Sequence, residues 1–411
     1  MSTVPGPLVL IEPYAHRGGG HHQHTLTALA ATGASLVVAP ASLDEGLGPL
    51  ARSGARIAAG PDGAVARFLL AAARTAERVS TAGRRAFASR RWPRAVRRLP
   101  HQVTLLVRCL TEAACLRTAR RLAPRASAVV ILSASEALHG LAALLGGAPH
   151  LRFVHELVTT EDRPARWLGR LARQGEKRVV ALYSTTAVRD QITAAFPTLP
   201  GEVRAFAVDD GRRLTTAQRD GGRTAFAIPD EATAVCVVGG WWPYKDIATI
   251  DAALACLTAP LHVLVCGTPL DDTVLARWHQ LPHVRLHTVP GPVADEILRL
   301  VYGAADAALV ARHPGVGKES GLVMDAARLG VPLIVSEHDP ALTARLADQP
   351  WVWSFPAGDA GALAEALDKL SADAPARPDT SAPSVLDLYP AAEQAAFLTT
   401  TYTRLLKECR R

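Results

Sequence analysis

The sequence has few cysteines and none in a metal-binding or redox pattern. The six cysteines among its 411 residues stand apart, with no Cys-x-x-Cys pair, which argues against a zinc site or a disulfide framework. No apolar run reaches the roughly 18–20 residues of a membrane-spanning helix, and no basic segment followed by an apolar one resembles a secretory signal. We therefore expect a cytoplasmic protein.

Acidic residues are missing from one long stretch. From Arg78 to Thr111 there is no Asp or Glu but there are nine arginines, in a chain whose net charge is +7. The simplest interpretation is a solvated, arginine-rich pair of helices. Phe87 and Trp92 lie among these charges, so a weak contact of the Arg84–Arg98 region with an anionic membrane surface is the alternative. No nucleic-acid-binding motif accompanies the arginines, so we do not expect nucleic acid as a partner.

Apolar, β-rich runs alternate with longer helical patterns, which is typical of parallel α/β domains. The length suits two domains. The predicted organisation is a first domain over 1–208, a Gly- and Pro-containing linker over 209–230, a second domain over 231–388, and a final helix over 389–411 that crosses back to the first domain. Two doubly wound domains in tandem would leave a cleft between them, and each would bind ligands at the carboxyl ends of its strands.

Eleven strands are predicted. Those of the first domain are Leu8–Ile11, Ser35–Ala39, Ala128–Leu132, Leu151–Val154 and Val179–Leu182. Those of the second domain are Ala234–Val238, Leu261–Cys266, Val284–Thr288, Ala307–Val310, Leu333–Val335 and Val352–Phe355. The candidate binding motifs are expected in the loops that follow these strands.

The most informative motif, Gly317–Asp325, follows an apolar strand and opens a helix. A small polar turn at a helix N-terminus leaves backbone N–H groups free and suits a phosphate. We expect the turn at Ser320 and Gly321 to bind phosphate, and the Asp325 carboxylate, one turn further on, to reach ribose hydroxyls. The motif indicates a nucleotide-linked ligand.

A second loop, Gly239–Asp246, follows the first strand of the second domain. Gly240 would let a phosphate approach the backbone, and Lys245 can neutralise it as a point charge. The next two strands are followed by loops at Gly267 and Val289, where backbone groups would hold the base or ribose. Taken alone, these two loops are weak signals.

The first domain carries its own candidates. A loop rich in glycine, including Gly19 and Gly20, precedes His21 after the first strand, but it lacks the Gly-x-Gly-x-x-Gly pattern of a dinucleotide site. His21 and His24 share a helix face without a third metal ligand nearby, so hydrogen bonding to a substrate is preferred over zinc. His155 ends a strand, where it could bind a sugar hydroxyl or serve only a structural role.

Taken together, these positions resemble the GT-B glycosyltransferases, specifically the retaining family 4. The resemblance rests on Gly18–Gly20, Val154-His155-Glu156, Gly239 with Lys245, Gly267, and the Gly317–Asp325 signature. It covers most of the chain and is clearest from about Val235 to Ser336.

The chain also departs from that family. Asp325 stands where the second signature glutamate is typical, and Gly317 stands at the position of the first. Glu319 lies two residues away from that position. Gly240 occupies the place of the arginine that usually accompanies the lysine, so Arg312, at the end of another strand, is a candidate for the missing charge.

The resemblance implies a GT-B fold of two Rossmann-like domains with an interdomain cleft. It implies transfer of a sugar from a UDP-, GDP- or dTDP-activated donor to an acceptor, which we expect to be a small specialised metabolite, by a retaining, metal-independent reaction. The second domain would hold the donor and the first the acceptor, with His155 and Glu319 as catalytic residues that orient the sugar. A sugar-nucleotide epimerase and a non-catalytic sugar-nucleotide binder remain alternatives.

Overall fold

The computed structural model describes residues 6–13, 21–40, 50, 53–86, 94–134, 138–155, 166–206, 208–209, 211–317 and 319–411. They form two compact units. The first unit contains the described residues of the N-terminal half through Val208 together with Ala391–Arg411, and the second consists mainly of Asp209–Pro390. Two-residue strands, β8 at Val208–Asp209 and β15 at Tyr389–Pro390, mark the points where the chain passes from one unit to the other.

The first unit has seven further strands and seven helices among its described residues. Its strands are β1 Leu8–Ile11, β2 Ser35–Ala39, β3 Arg56–Ala59, β4 Ala128–Ile131, β5 His150–Val154, β6 Val179–Tyr183 and β7 Gly201–Val203. Its helices are α1 His21–Ala30, α2 Ala64–Ala86, α3 Arg94–Leu122, α4 His139–Gly146, α5 Arg166–Arg173, α6 Thr186–Ala195 and α15 Ala391–Cys409, with a 3₁₀ turn at Glu176–Arg178.

The seven strands of the first unit form one parallel sheet in the order β3-β2-β1-β4-β5-β6-β7. Val9 of β1 lies opposite Leu36 on one side and Val129 on the other. The central strands are buried throughout, as their continuous Val, Leu and Ile runs require in a sheet that has helices on both faces.

Helix α15 completes the core of the first unit although it lies at the far end of the sequence. Leu398, Tyr402 and Leu405 are buried in the same hydrophobic cluster as β1 and β4. Gln394 accepts a hydrogen bond from Arg204 Nε at 2.7 Å and is itself fully buried. The predicted final helix therefore forms and packs within the first unit.

A charged pair is buried inside the first unit. Arg152, on the central strand β5, donates to the Glu112 carboxylate of α3 at 2.9 Å, and neither side chain is more than 2% exposed. His150, also buried, lies 3.3 Å from the Arg152 guanidinium. Burial and this neighbouring positive charge lower the pKa of His150 to about 3, so the imidazole is neutral.

The second unit alternates strands and helices. Its strands are β9 Ala234–Val238, β10 Leu261–Gly267, β11 Val284–Pro290, β12 Ala307–Val310, β13 Leu333–Ser336 and β14 Val352–Phe355. Its helices are α7 Thr216–Ala225, α8 Ile247–Ala255, α9 Asp272–Gln280, α10 Asp295–Ala304, α11 Gly321–Leu329, α12 Pro340–Leu346, α13 Ala360–Leu370 and α14 Ala382–Val385.

The six strands of the second unit form a parallel sheet in the order β11-β10-β9-β12-β13-β14. The chain leaves β9 toward β10 on one side and leaves β12 toward β13 on the other. Strand order therefore reverses between β9 and β12, and a crevice for ligands is expected there at the carboxyl ends.

The segment 209–230 corrects the linker prediction. It contains helix α7, whose N-cap Thr215 and Gln218 form a capping box. Gly222 lets this helix approach α10 closely, because a Cβ there would lie 2.6 Å from the Leu300 carbonyl oxygen. The segment is thus a packed part of the second unit rather than a free connection.

Candidate functional site

The loops that follow β9 and β12 meet at the reversal point of the second sheet. Lys245, in the β9–α8 loop, forms an isolated antiparallel bridge with Arg312, two residues beyond β12. The Asp246 N–H donates to the Ala311 carbonyl at 3.1 Å within the same bridge. Two cationic side chains that are 67 positions apart in the sequence are thus held side by side by backbone hydrogen bonds, and we call this the Lys245–Arg312 bridge.

Lys245 is half-buried, and its ammonium contacts backbone oxygens. Its Nζ donates to the Val238 and Gly239 carbonyls at 2.6 and 2.9 Å. Burial, followed by the nearby Arg312 charge, lowers the pKa of Lys245 to about 7. Among the residues that the structure describes, no carboxylate forms an ion pair with Lys245. An anion at this point would therefore supply a missing countercharge.

Arg312 is held by the end of the neighbouring strand. Its backbone N–H donates to Ser336 Oγ at 2.9 Å, and that hydroxyl lies 3.0 Å from His338 Nδ1. The guanidinium is 3.4 Å from the Glu319 carbonyl and 5.3 Å above the centre of the Tyr244 ring. Burial lowers the pKa of Arg312 from its ordinary value, yet an arginine remains charged at neutral pH.

The sequence analysis did not single out His338 or Ser336. His338 is 1% exposed, and its Nε2 has no hydrogen-bond partner within the described ranges. Burial and the Arg312 charge lower its pKa to about 4, so the ring is neutral at physiological pH. The sequence shows a serine at a strand end and a histidine two residues later. That pattern alone does not place the two side chains beside Arg312, which depends on the fold.

Helix α11 begins beside the bridge. Ser320 is its N-cap, and the Ser320 hydroxyl accepts the Val323 N–H at 3.5 Å. The first N–H groups of a helix have no partner within it, so those of Gly321 and Leu322 are available to a ligand. A Cβ placed on Gly239 would lie 3.2 Å from Lys245 Nζ and 4.0 Å from the Leu322 side chain. Lys245, Arg312 and the N-terminus of α11 therefore lie close together.

The glycines after β9 and β10 pack two loops against each other. Gly239 and Gly267 have positive φ angles of 80° and 136°. A Cβ on Gly240 would lie 2.0 Å from the Thr268 carbonyl oxygen, and one on Gly267 would lie 2.7 Å from the Gly239 backbone. The Gly291 N–H donates to the Gly267 carbonyl at 3.1 Å, which joins the loop that follows Val289 to the same group.

Gly240→Ala should therefore separate these loops. We expect a destabilisation of about 2–3 kcal/mol, the usual cost of overpacking a tight site, and weaker ligand binding. Gly221→Ala is the matched control, because a Cβ at Gly221 meets nothing within 4 Å and its position is helical. Thermal unfolding of the two variants checks this, and equal melting temperatures would contradict the packing argument.

Asp325 lies on the inner side of α11. It is 7% exposed, and its carboxylate pairs with Arg328, three residues along the helix and 4% exposed. Burial raises the pKa of the nearby Tyr302 hydroxyl well above its ordinary value, and the charge of the Asp325 carboxylate adds to this shift. The structure thus directs Asp325 to a buried ion pair, whereas Ser320 and Gly321 lie at the open end of the helix.

In the first unit, His155 follows β5 at the carboxyl end of the sheet. Its Nε2 donates to the Leu132 carbonyl at 3.1 Å, and its ring meets the Phe206 ring edge-on at 4.5 Å. Sequence reasoning missed Glu12, which directly follows β1 and accepts a hydrogen bond from Ser133 at 2.8 Å while only 5% exposed. This carboxylate sits where the strand order of the first sheet reverses. The sequence feature that could have identified Glu12 is its position as an acidic residue directly after an entirely apolar strand.

Some predicted residues fall outside this description. Gly19 and Gly20 lie outside the described residues, and of His21 only the backbone, at the start of α1, is described. Across the described ranges, no group of three or more His, Cys, Asp and Glu side chains could hold a metal ion. In the same ranges, no helix is both long and apolar enough to cross a bilayer.

Solved structures of similar architecture cover nearly the whole chain. HepE of Anabaena, in complex with UDP and glucose, aligns with a TM-score of 0.59 at 12% identity over 98% of this chain and 99% of its own. A glycosyltransferase of Rickettsia africae gives 0.58 at 11% identity over 98% and 96%. A UDP-forming trehalose-phosphate synthase of Burkholderia xenovorans gives 0.56 at 12% identity over 98% and 99%. The chain has the GT-B fold.

This similarity confirms the predicted fold class, GT-B with two Rossmann-like domains. No protein-family model matches the chain, and no curated protein matches it by sequence. At 11–12% identity the solved structures establish the fold, and the assignment of function rests on the site itself.

Proposed function

We propose that the chain is a glycosyltransferase that moves a sugar from a nucleotide-activated donor to a small acceptor. The observation that carries the proposal is the Lys245–Arg312 bridge, a half-buried lysine and a buried arginine beside the N-terminus of α11 at the reversal point of a Rossmann-like sheet. A diphosphate offers the negative charge and the acceptor oxygens that a lysine, an arginine and a helix N-terminus recognise. HepE, which shares the GT-B fold, was solved with UDP-glucose.

The reaction places its largest charge change on the leaving diphosphate. The bond between the sugar C1 and the diphosphate oxygen breaks and its electron pair stays on that oxygen. The oxygen of an acceptor hydroxyl forms the new bond to C1, and its proton passes to the departing diphosphate. Lys245, Arg312 and the N–H groups of Gly321 and Leu322 would stabilise the oxygen as its charge develops. Because these groups are fixed before the reaction, little reorganisation is needed.

The remaining assignments complete the proposal. The strand ends at Gly267 and Val289, with the loops that follow them, would hold the base and ribose through backbone groups. Asp325 would contact the ribose only if its pair with Arg328 opens, and Glu319 and His155 would orient the sugar. We further propose retention of configuration, no requirement for a metal or a cofactor, acceptor binding by the first unit, and a cytoplasmic location.

The decisive experiment is a nucleotide panel. UDP, GDP, ADP and dTDP are each added to the protein, and its melting temperature is recorded. One nucleotide should raise the melting temperature by several degrees, since saturation at about 100 times Kd adds roughly 2.7 kcal/mol of stability. Identical melting curves with all four would contradict a donor site.

Product analysis separates the enzymatic alternatives. Incubation with the matching sugar nucleotide should release free nucleoside diphosphate faster in the presence of acceptor than in its absence. Conversion to an isomeric sugar nucleotide without an acceptor would indicate an epimerase instead. Binding without either product would indicate a non-catalytic binder.

The affinity for nucleoside diphosphate should depend on pH through Lys245. Its pKa in the free protein is lowered to about 7, whereas a bound phosphate favours the charged ammonium, so binding takes up a proton. Affinity should fall as pH rises above 7, by up to about tenfold per pH unit. Titrations between about pH 7.5 and 9 avoid ionisation of the terminal phosphate, whose pKa is near 6. A flat profile over this window would contradict a lysine–phosphate contact.

A further inference from the structure

Helix α2 of the first unit exposes a row of apolar side chains. Val65, Phe68 and Val79 are 52%, 71% and 59% exposed, and Ala72 lies between them. Their spacing of three, four and seven residues places them on one face of the helix. An exposed phenylalanine in such a row is unusual for a helix whose opposite face, including Leu69 and Leu70, already packs into the core.

The row borders an open apolar groove of about 520 Å³ between α2 and α3. Val103 of α3 lines the groove together with Phe68 and Val79. Leu99 and Leu106, four residues before and three after Val103, are 54% and 39% exposed. Two helices thus contribute adjoining apolar rows, which we call the α2–α3 face.

Arginines form a second exposed row along α2, roughly 130° around the helix from the apolar row. Arg67, Arg74, Arg78 and Arg85 are exposed and recur at intervals of seven, four and seven residues, so they also share one side of the helix. None of the four forms an ion pair with another described residue. Glu77 is the single acidic residue of α2, and the single acidic residue of α3, Glu112, is buried in its pair with Arg152.

We propose that the α2–α3 face docks on an anionic lipid bilayer. Phe68 and Val79 would enter the boundary between headgroups and acyl chains, while the arginines reach the lipid phosphates with their alkyl stems along the surface. The charge pattern favours this partner over a second copy of the chain, because the face offers almost no negative charge to its own arginines. It also favours a bilayer over nucleic acid, which would leave the two apolar rows uncovered.

The test is sedimentation with vesicles. The full-length protein is mixed with vesicles of phosphatidylcholine alone or of phosphatidylcholine and phosphatidylglycerol in equal parts, and the partition coefficient is measured at low and high salt. Binding should require phosphatidylglycerol and weaken with salt. Arg74→Gln with Arg78→Gln should lower the partition coefficient about 30-fold, and Phe68→Ser with Val79→Ser should lower it about tenfold or more.

The control removes two arginines elsewhere in the same unit. Arg410→Gln with Arg411→Gln changes the net charge equally at the exposed end of the chain and should leave partitioning within about twofold. All substituted side chains are exposed, so melting temperatures and nucleotide-induced stabilisation should stay unchanged. Failure of the wild type to bind anionic vesicles overturns the proposal. So does equal binding by the serine variant and the wild type, or an equal loss in the control.

Discussion

Lys245→Met should abolish most of the nucleotide affinity. Methionine retains the length and apolar volume of the lysine stem, so the variant removes the charge and its hydrogen bonds to the Val238 and Gly239 carbonyls. Losing a charge-assisted contact to phosphate costs about 1.5–3 kcal/mol, which is about 10- to 150-fold in Kd. Isothermal titration with the nucleotide selected by the melting panel measures the change.

Lys369→Met is the matched control. Lys369 lies on α13 of the same unit, where its ammonium sits 4.4 Å from the centre of the Trp353 ring. We expect its affinity to match that of the wild type within about twofold, because a solvated lysine remote from the ligand contributes little. Equal losses in the two variants, or no loss in Lys245→Met, would remove the phosphate role from Lys245. The affinity of Lys245→Met should also lose the pH dependence described above.

Arg152→Met should destabilise the first unit by about 3–5 kcal/mol, because it removes the guanidinium that donates to the buried Glu112 carboxylate. Hydrogen exchange read by mass spectrometry is the suitable measurement, since it reports the two units separately. Amides of β4 and β5 should exchange about 100-fold faster or more, and peptides of the second unit should serve as the internal reference.

The surface pair Arg404–Glu202 offers the contrast. Its atoms are 2.8 Å apart, similar to the buried pair, but the side chains are 58% and 37% exposed. Arg404→Met should change stability by less than about 1 kcal/mol. The double variant Arg152→Met with Glu112→Gln should recover part of the loss, because it also removes the buried charge. Similar effects of Arg152→Met and Arg404→Met would contradict the argument from burial.

The sheets could be predicted because their strands are dominated by apolar residues. The Ala234–Val238 run and its ten counterparts all form strands, with ends shifted by at most a few residues. The strands β3 and β7 were missed, since both are short and lie at sheet edges where half-exposed residues blur the pattern. Helix α12 carries the usual start signal in its sequence, with Asp339 as N-cap and Pro340 in its first turn.

The glycines of 209–230 led to the incorrect prediction of a linker in this segment. Gly221 and Gly222 suggested an interdomain linker, but Gly222 serves close packing of α7 on α10. The capping box at Thr215 was visible in the sequence and would have identified the helix. Helix-breaking propensity was overridden here by tertiary contact.

The candidate site was only partly accessible from the sequence. Lys245 and the α11 N-terminus could be predicted, since each follows a strand within its own loop. The pairing of Lys245 with Arg312 depends on which strands are neighbours, and that order is a property of the whole sheet. The ion pair of Asp325 with Arg328 was predictable from their three-residue spacing on a helix. It bears on ribose binding because it engages the carboxylate expected to serve there.

The position of α15 in the sequence affects how the protein reaches its native state. During synthesis the ribosome releases Asp209–Pro390, a continuous segment, before Leu398, Tyr402 and Leu405 become available to the first core. The second unit can therefore fold while the first still exposes apolar surface around β1 and β4. The N-terminal half of the protein is made first but cannot complete its core until the last helix is made, and its apolar surface is open to aggregation in the interval.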